Sequence, residues 1–175
     1  MLKLTEVQVS SVIYTSSYIY RLCEKDDSYV TTEILILLSV IYRVSLEHLL
    51  SDKYSKEDLT NDKYLRYLKG HGQESIIETL RNNLCLYLSE KRNKANSTTI
   101  DNVLKKAKNS FGEKISNYRR TNNLSLDEAS EIFGVQKMIY QAFESGNLLP
   151  SVSQLRTIEN KFNISISDLI GIRQK

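Results

Sequence analysis

Residues 125–146, SLDEASEIFGVQKMIYQAFESG, contain the start and end signals of two short helices separated by a tight turn. Ser125 and Glu128 form a capping-box pattern, in which the hydroxyl accepts from a backbone amide and the carboxylate reaches back to the cap. Gly134 allows the backbone to turn sharply, and Gly146 is typical of the residue that follows a helix. The stretch therefore predicts two helices, over 126–133 and 136–144.

The same kind of signal occurs on both sides of this stretch. Further capping boxes begin at Ser110 and Ser151, a looser version begins at Ser165, and Pro150 suits a loop that enters a helix. Together these signals predict three more helices, over 113–121, 152–162 and 166–171. Five short helices in succession predict a compact helical bundle at 110–175.

The composition of the whole chain favours an all-α globular protein. It has 175 residues, 41% of them apolar and 26% charged, which is close to the globular average and argues against wholesale disorder. One proline and six glycines are few for an all-β protein with many turns. The longest apolar run, Ile34 to Ile41, is too short to cross a bilayer, and no signal peptide follows Met1. We therefore expect no membrane association and a cytoplasmic location.

Charge is spread unevenly along the chain. Twenty-four Lys and Arg against 21 Asp and Glu give a net charge of +3, which permits a polyanionic partner without requiring one. The middle segment, 51–110, is the most basic, with clusters at 91–94 and 105–108.

The chain contains an internal repeat. Shifted by 120 residues, positions 4–50 align without a gap with positions 124–170. The identical pairs include Leu4/Leu124, Ser10/Ser130, Ile19/Ile139, Tyr20/Tyr140, Glu24/Glu144, Leu35/Leu155, Ser45/Ser165 and Leu49/Leu169. A capping box from Thr5 to Gln8 also aligns with the one that begins at Ser125. Matching caps, polar identities and apolar positions in one register favour a duplicated unit over two unrelated helical stretches.

Residues 111–170 resemble the helix-turn-helix domain of the phage lambda repressor/Cro-like (XRE) family. The segments that carry the resemblance are ISNYRR at 115–120, LSLDEASEIFGV at 124–135, YQAFESG at 140–146, LPSVSQL at 149–155 and FNISISDLI at 162–170. In the third segment the family commonly has an aromatic-Glu-x-Gly ending. No single segment is specific, and it is their order and spacing that identify the family.

The resemblance, combined with the repeat, implies two lambda-repressor-like helical bundles joined by a helical linker. The expected domains are a degenerate helix-turn-helix-like domain at 1–52, a helical connecting and assembly region at 53–109, and a helix-turn-helix domain at 110–175. The first bundle lacks helix 1.

The resemblance also implies a sequence-specific transcriptional regulator of double-stranded DNA, with repression as the expected polarity. In the family the start of helix 3 enters the major groove. There Lys137 suits guanine, Gln136 suits adenine and Met138 suits a thymine methyl group. Arg119 and Arg120, at the end of helix 1, are expected phosphate anchors. The predicted DNA-binding residues are Gln136, Lys137, Met138, Gln141, Ala142, Arg119, Arg120 and Ser125.

Two departures from the family pattern weaken the expected phosphate binding. Leu126 stands where the family often has a phosphate-binding Gln, and the loop 146–150 lacks the Lys or Arg often found there. Because phosphate contacts dominate affinity, binding is expected to be weaker than usual or to need a homodimer. An alternative is a protein-interaction module, such as an antirepressor or regulator-binding protein, that keeps the bundle without DNA binding.

The first copy is more degenerate and is expected to serve structure or assembly, including contact with a protein partner. Glu6 occupies the phosphate-contacting position, and Asp26 and Asp27 lie near the expected DNA face. Helices are predicted at 55–69 and 74–91. The second of them is expected to cover the first copy in place of helix 1, either in the same chain or in an obligate homodimer.

No catalytic or cofactor-binding pattern is present in the sequence. His48 and His71 have no Cys, Asp or Glu at ligand spacing, and the turn around His71 lacks the Gly-Lys-Ser/Thr of a phosphate loop. Cys23 and Cys85 have no metal-type spacing and indicate a reducing compartment. We therefore expect neither enzymatic activity nor a cofactor.

Overall fold

The protein is all-α, as predicted. The computed structural model describes residues 4–25, 30–50, 72–88, 97–162 and 164–172. The described residues form ten helices and no strand: α1 (Glu6–Val12), α2 (Ser17–Lys25), α3 (Thr32–Tyr42), α4 (Leu46–Leu50), α5 (Gln73–Tyr87), α6 (Ser97–Thr121), α7 (Leu126–Phe133), α8 (Lys137–Glu144), α9 (Val152–Phe162) and α10 (Ile166–Ile170). None of these helices is both long enough and apolar enough to cross a membrane.

Four of the five helices predicted for the carboxy-terminal part agree with the structure to within one residue. α7 and α9 have the predicted bounds, α8 begins one residue later and α10 ends one residue earlier. The helix start predicted at 113 is wrong, because α6 runs without a break from Ser97 to Thr121. Ser110 therefore lies in a helix interior, where backbone amides are already bonded to the preceding turn and need no cap. The predicted domain boundary between 109 and 110 falls inside α6.

The four amino-terminal helices begin 120 residues before the four carboxy-terminal ones. The pairs of first residues are Glu6/Leu126, Ser17/Lys137, Thr32/Val152 and Leu46/Ile166. Both α1 and α7 have complete capping boxes, led by Thr5 and Ser125. The turn after each helix has a left-handed residue at the equivalent place, Tyr14 with φ 52° and Gly134 with φ 66°. The sequence repeat thus coincides with a repeat of helix positions.

The centre of the amino-terminal part is α3, which is apolar on nearly all sides. Most of its side chains are buried, including those from Ile34 to Leu37. Because no face of α3 is polar enough to meet water, other helices must surround it. It packs against α4, α5 and α6.

α5 packs against α1 and α3 of its own chain. The helix predicted over 74–91 therefore covers the first copy within one molecule, and its observed end is Tyr87. Asn83 is buried and donates from Nδ2 to the carbonyl oxygen of Ile41 at 2.6 Å, which satisfies a carbonyl in the last turn of α3. The helix predicted over 55–69, together with Asp26, Asp27 and His71, lies outside the described residues.

Candidate nucleic-acid interface

α8, the helix predicted to enter the groove, is fixed to the bundle by its buried face. Tyr140 and Phe143 are essentially inaccessible to solvent. The Phe143 ring meets the edge of Phe111 on α6 at 5.6 Å between centroids, and the Tyr140 ring meets Phe133 on α7 at 5.1 Å. Edge-to-face pairs of this kind add to the free energy gained by burying the rings. α8 therefore has a defined orientation relative to α6 and α7.

Tyr140 adds a polar contact to this packing. Its hydroxyl donates to the carbonyl oxygen of Ile115 on α6 at 3.2 Å. Burial, together with the nearby Glu144 carboxylate, raises the pKa of the Tyr140 phenol. The phenol thus keeps its proton and remains a hydrogen-bond donor at physiological pH.

Gly112 of α6 lies against the backbone at the end of α8. A Cβ at this position would lie 2.5 Å from the carbonyl oxygen of Phe143 and 2.7 Å from that of Glu144. Real Cβ atoms do not come so near to backbone oxygens, so a side chain at 112 would push the end of α8 away from α6. Gly112 therefore sets the distance at which α8 is held.

An ion pair also joins the last turns of α6 and α8. Arg119 donates from Nε to Glu144 Oε1 at 2.7 Å and from Nη2 to Oε2 at 3.1 Å, and its Nη1 donates to the carbonyl oxygen of Leu124 at 3.3 Å. The side chains of Arg119 and Glu144 are only 19% and 14% exposed. The hydrogen bond to Glu144 raises the pKa of the Arg119 guanidinium above its ordinary value. The guanidinium of Arg119, which was predicted to bind a phosphate, thus donates its hydrogen bonds to groups within the fold.

The opposite face of α8 is open to solvent. Gln136, Lys137, Met138 and Gln141 are exposed, and Ala142 is half-buried beside them. The side chain of Met138 is 70% exposed, which is high for an apolar residue. Gln136 is the N-cap residue of α8, but its side chain makes no capping hydrogen bond, so its amide is not committed to the helix end. The residues predicted from the sequence thus lie together along one exposed side of α8.

Lys137 meets a carboxylate on the neighbouring helix. Its Nζ lies 2.8 Å from Oδ2 of Asp127, in the first turn of α7, and both side chains are about half or more exposed. Ion pairs this exposed contribute little to stability, typically about 0.5 kcal/mol, and are screened by salt. The ammonium of Lys137 is therefore free to exchange Asp127 for another anion.

Ser125 serves as the N-cap of α7. The amide of Glu128 donates to Ser125 Oγ at 3.2 Å, and the Ser125 amide and hydroxyl both donate to Glu128 Oε2 at 2.8 Å. These hydrogen bonds lower the pKa of the Glu128 carboxyl. The hydroxyl that was predicted to bind DNA is thus engaged in the helix cap.

No family model, curated protein or solved structure matches the chain. Across the described ranges, no group of three or more His, Cys, Asp or Glu side chains is arranged to hold a metal ion.

Arg120 has a different environment from Arg119. Its side chain is exposed at the end of α6, on the border of a polar cleft of about 400 Å³. The cleft is also lined by Asn109, Glu113, Ser116, Asn117, Glu144, Ser145 and Gly146. Of the two predicted phosphate anchors, Arg120 is the one that faces solvent.

The acidic residues around α8 were missed by the sequence reasoning. The segment 125–146 contains four carboxylates and a single Lys. Glu144 is paired with Arg119, whereas Asp127, Glu128 and Glu131 are exposed on α7. This acidity could have been predicted from the sequence, since the two predicted helices together have a net charge of −3. The surface formed by α7 and α8 is therefore polar and locally acidic, and Lys137 is the single cationic residue of these two helices.

The corresponding face of the first copy has a different chemistry. It exposes several large apolar side chains, and Val7, Tyr14, Tyr18 and Ile19 are all at least 40% exposed. Val7 and Tyr18 are equivalent to Asp127 and Met138 of the second copy. The acidic residue expected at the phosphate position, Glu6, instead pairs with Arg21 of α2 at 2.6 Å. Ser16, Ser17 and Tyr18 stand at the places of Gln136, Lys137 and Met138. Arg21, at the place of Gln141, is the side chain that pairs with Glu6.

Proposed function

We propose that the chain is a DNA-binding transcriptional regulator, acting as a repressor, which reads the major groove of double-stranded DNA with α8. The observation that carries the proposal is the division of α8 into two faces. Gln136, Lys137 and Met138 are exposed on one, while Tyr140 and Phe143 fix the other to the bundle. A helix that enters the major groove must be held by its inner side and be free on its outer side.

The chemistry of the outer face suits contacts with bases. Lys137 can donate to O6 and N7 of guanine, and the amide of Gln136 or Gln141 can pair with the N6 and N7 edge of adenine. Met138 supplies an apolar surface for a thymine methyl group, and Ala142 is small enough for close approach. For Lys137 to contact a base, its ion pair with Asp127 has to be broken. This costs little free energy, because both side chains are exposed.

In the proposed complex the exposed side chain of Arg120 contacts the phosphate backbone of the DNA. Arg119 makes no such contact, because its guanidinium is bonded to Glu144 and Leu124. With few cations and several carboxylates near α8, affinity is expected to be modest and to depend weakly on salt, since the slope follows the number of phosphates neutralised.

A second candidate function is a protein-interaction module, such as an antirepressor. It is favoured by the exposed carboxylates of Asp127, Glu128 and Glu131 on α7. Three carboxylates beside a helix suit a basic partner surface, such as the DNA-binding surface of another regulator. In both candidates α8 acts by binding and carries out no chemical reaction.

Selection of bound sequences from random duplexes, carried out with the full chain at two salt concentrations, tests the proposal. Enrichment of a defined motif, with affinity that falls as salt rises, is the expected result. Failure to enrich any motif at either concentration would contradict DNA reading. Retention of a basic DNA-binding protein by the chain, with no enriched duplex, would instead support the second candidate.

A further inference from the structure

The two copies contact each other through equivalent helices. α4, the last helix of the first copy, packs against α10, the last helix of the second. The first residues of these helices, Leu46 and Ile166, are 120 positions apart, and both are fully buried. An interface made by the same element from both partners is the mark of an isologous, two-fold arrangement.

At the centre of this contact a residue meets its own equivalent. Glu47 and Ser167 are 120 positions apart, and the hydroxyl and the amide of Ser167 donate to the Glu47 carboxylate at 2.5 and 2.6 Å. Ser167 Oγ in turn accepts from the amide of Leu46 at 3.1 Å. In an isologous pair, equivalent positions meet where the two-fold axis passes between them, and the contact between Glu47 and Ser167 fits that arrangement.

Two further hydrogen bonds join the copies away from the axis. Thr32 is buried and donates from Oγ1 to the carbonyl oxygen of Pro150 at 2.6 Å, and Arg156 donates from Nη2 to the carbonyl oxygen of Leu50 at 2.8 Å. Because Leu169 and Ile170 are also buried, the apolar side of α10 is covered within the chain. The second copy is thus already paired and has no need of another molecule to cover α10.

The two paired heads are unlike. The second copy has Gln136, Lys137 and Met138 at the start of α8. At the equivalent start of α2 the first copy has Ser16, Ser17 and Tyr18. Hydroxyl and aromatic groups thus stand in the places of the amide of Gln136, the ammonium of Lys137 and the thioether of Met138. The equivalent of Gln141 is Arg21, whose guanidinium is paired with Glu6 at 2.6 Å. A pair built in this way has one reading head where a symmetric dimer has two.

We infer that the α4–α10 contact is a dimer interface built into one chain, so that the protein binds DNA as a monomer at a non-palindromic site. The site contains a single half-site that α8 reads. The part concerning DNA rests on the proposed function, whereas the part concerning the interface does not. The homodimer expected from the sequence is replaced by pairing inside the chain.

Light scattering of the full chain, coupled to size exclusion, tests the interface without DNA. The expected mass is 20.2 kDa at every concentration examined, and a stable mass of twice that value would overturn the inference. The Glu47→Ala and Ser167→Ala variants and their double variant supply a second test by chemical denaturation. The double variant should lose no more stability than the more harmful single change, whereas additive losses would overturn the central contact.

Binding to the selected duplex tests the part that concerns DNA. One chain per duplex on a motif without two-fold symmetry is the expected result. A palindromic motif occupied by two chains would overturn the inference while leaving the proposed function intact. If no motif is enriched, the proposed function fails, and the mass and the double variant still decide whether the interface is internal.

Discussion

Arg119 and Glu144 form an ion pair with two hydrogen bonds that ties the last turn of α6 to the last turn of α8. The adjacent residue, Arg120, is exposed and takes no part in this tie. Two neighbouring arginines with the same expected role from the sequence therefore have different roles in the fold. Arg119 fixes the position of α8, whereas the side chain of Arg120 is open to solvent.

This difference predicts that the two alanine substitutions affect stability to different extents. Arg119→Ala leaves the largely buried Glu144 carboxylate without its partner and should reduce the free energy of unfolding by about 1 to 2 kcal/mol. Arg120→Ala, its matched control, should change that free energy by less than about 0.5 kcal/mol. Urea denaturation followed by circular dichroism measures both. Equal losses from the two variants would contradict the assignment.

Gly112→Ala is predicted to destabilise the protein, although alanine normally favours a helix interior. The new Cβ would press on the carbonyl oxygens of Phe143 and Glu144, and such overpacking costs about 1 to 3 kcal/mol. Asn102→Ala, at an exposed position of the same helix, is the control and should be neutral or slightly stabilising. Thermal melting distinguishes the two. A Gly112→Ala protein that melts at or above the parent temperature would show that α8 is not held this closely.

The positions of α7, α9 and α10 were predictable because their signals are local. Ser125 and Ser165 bond to amides three residues later, so a few neighbouring residues fix where each helix begins. The Ser110 pattern failed because a local cap signal competes with the apolar stripe of α6. Val103, Ala107 and Phe111 are buried at helical spacing and carry the helix through residue 110.

For the candidate site, the sequence predicted only what helical spacing determines, which is the side of α8 on which each residue lies. The exposure of Lys137 and Met138 follows from their place opposite Tyr140 and Phe143, and it was predicted. The partner of Arg119 lies 25 residues away on another helix, so only the packing of α6 against α8 reveals that this guanidinium is occupied. The meeting of equivalent residues across α4 and α10 is likewise a property of tertiary packing.

The hydrogen bonds between Glu47 and Ser167 predict a loss of stability in acid. Burial alone would raise the pKa of the Glu47 carboxyl. The hydrogen bonds from the Ser167 hydroxyl and amide, together with those from the Glu47 amide and the Ser45 side chain, outweigh burial and hold the pKa below its ordinary value of 4.5. A carboxyl whose pKa is lowered by folding stabilises the protein above its unfolded pKa. That contribution is lost as pH falls through the folded value.

Melting temperatures measured between pH 7 and pH 3 check this prediction. The parent protein should be more stable than Glu47→Gln at pH 7, and the difference should shrink below about pH 4.5 as the carboxyl becomes protonated. Ser167→Ala, which keeps the carboxyl but removes the hydroxyl, should show a smaller difference with the same pH dependence. A gap between parent and Glu47→Gln that is constant across the range would contradict the role of the carboxylate.

Asp127→Asn is predicted to strengthen DNA binding. It removes a carboxylate beside α8 and releases the ammonium of Lys137 from its 2.8 Å pair. Since exposed pairs are worth up to about 1 kcal/mol, affinity at low salt should rise by at most about fivefold. Fluorescence anisotropy on a selected duplex measures this, with Asp101→Asn on the early part of α6 as control. Weaker binding of a basic protein partner by Asp127→Asn would favour the interaction module.

Lys137→Ala and Arg120→Ala are predicted to affect DNA binding in different ways, because in the proposed complex Lys137 contacts a base and Arg120 contacts a phosphate. Lys137→Ala should relax the preference at one base pair and cost about 1 to 3 kcal/mol on the preferred sequence. Arg120→Ala should weaken all sequences alike and reduce the salt slope by about 1. Lys105 lies about 22 Å before Arg120 along the axis of α6. Lys105→Ala should therefore change neither the base preference nor the salt slope. Equal, sequence-independent losses from the first two variants would mean that α8 contacts the backbone only, and the motif would then have to be read through DNA shape.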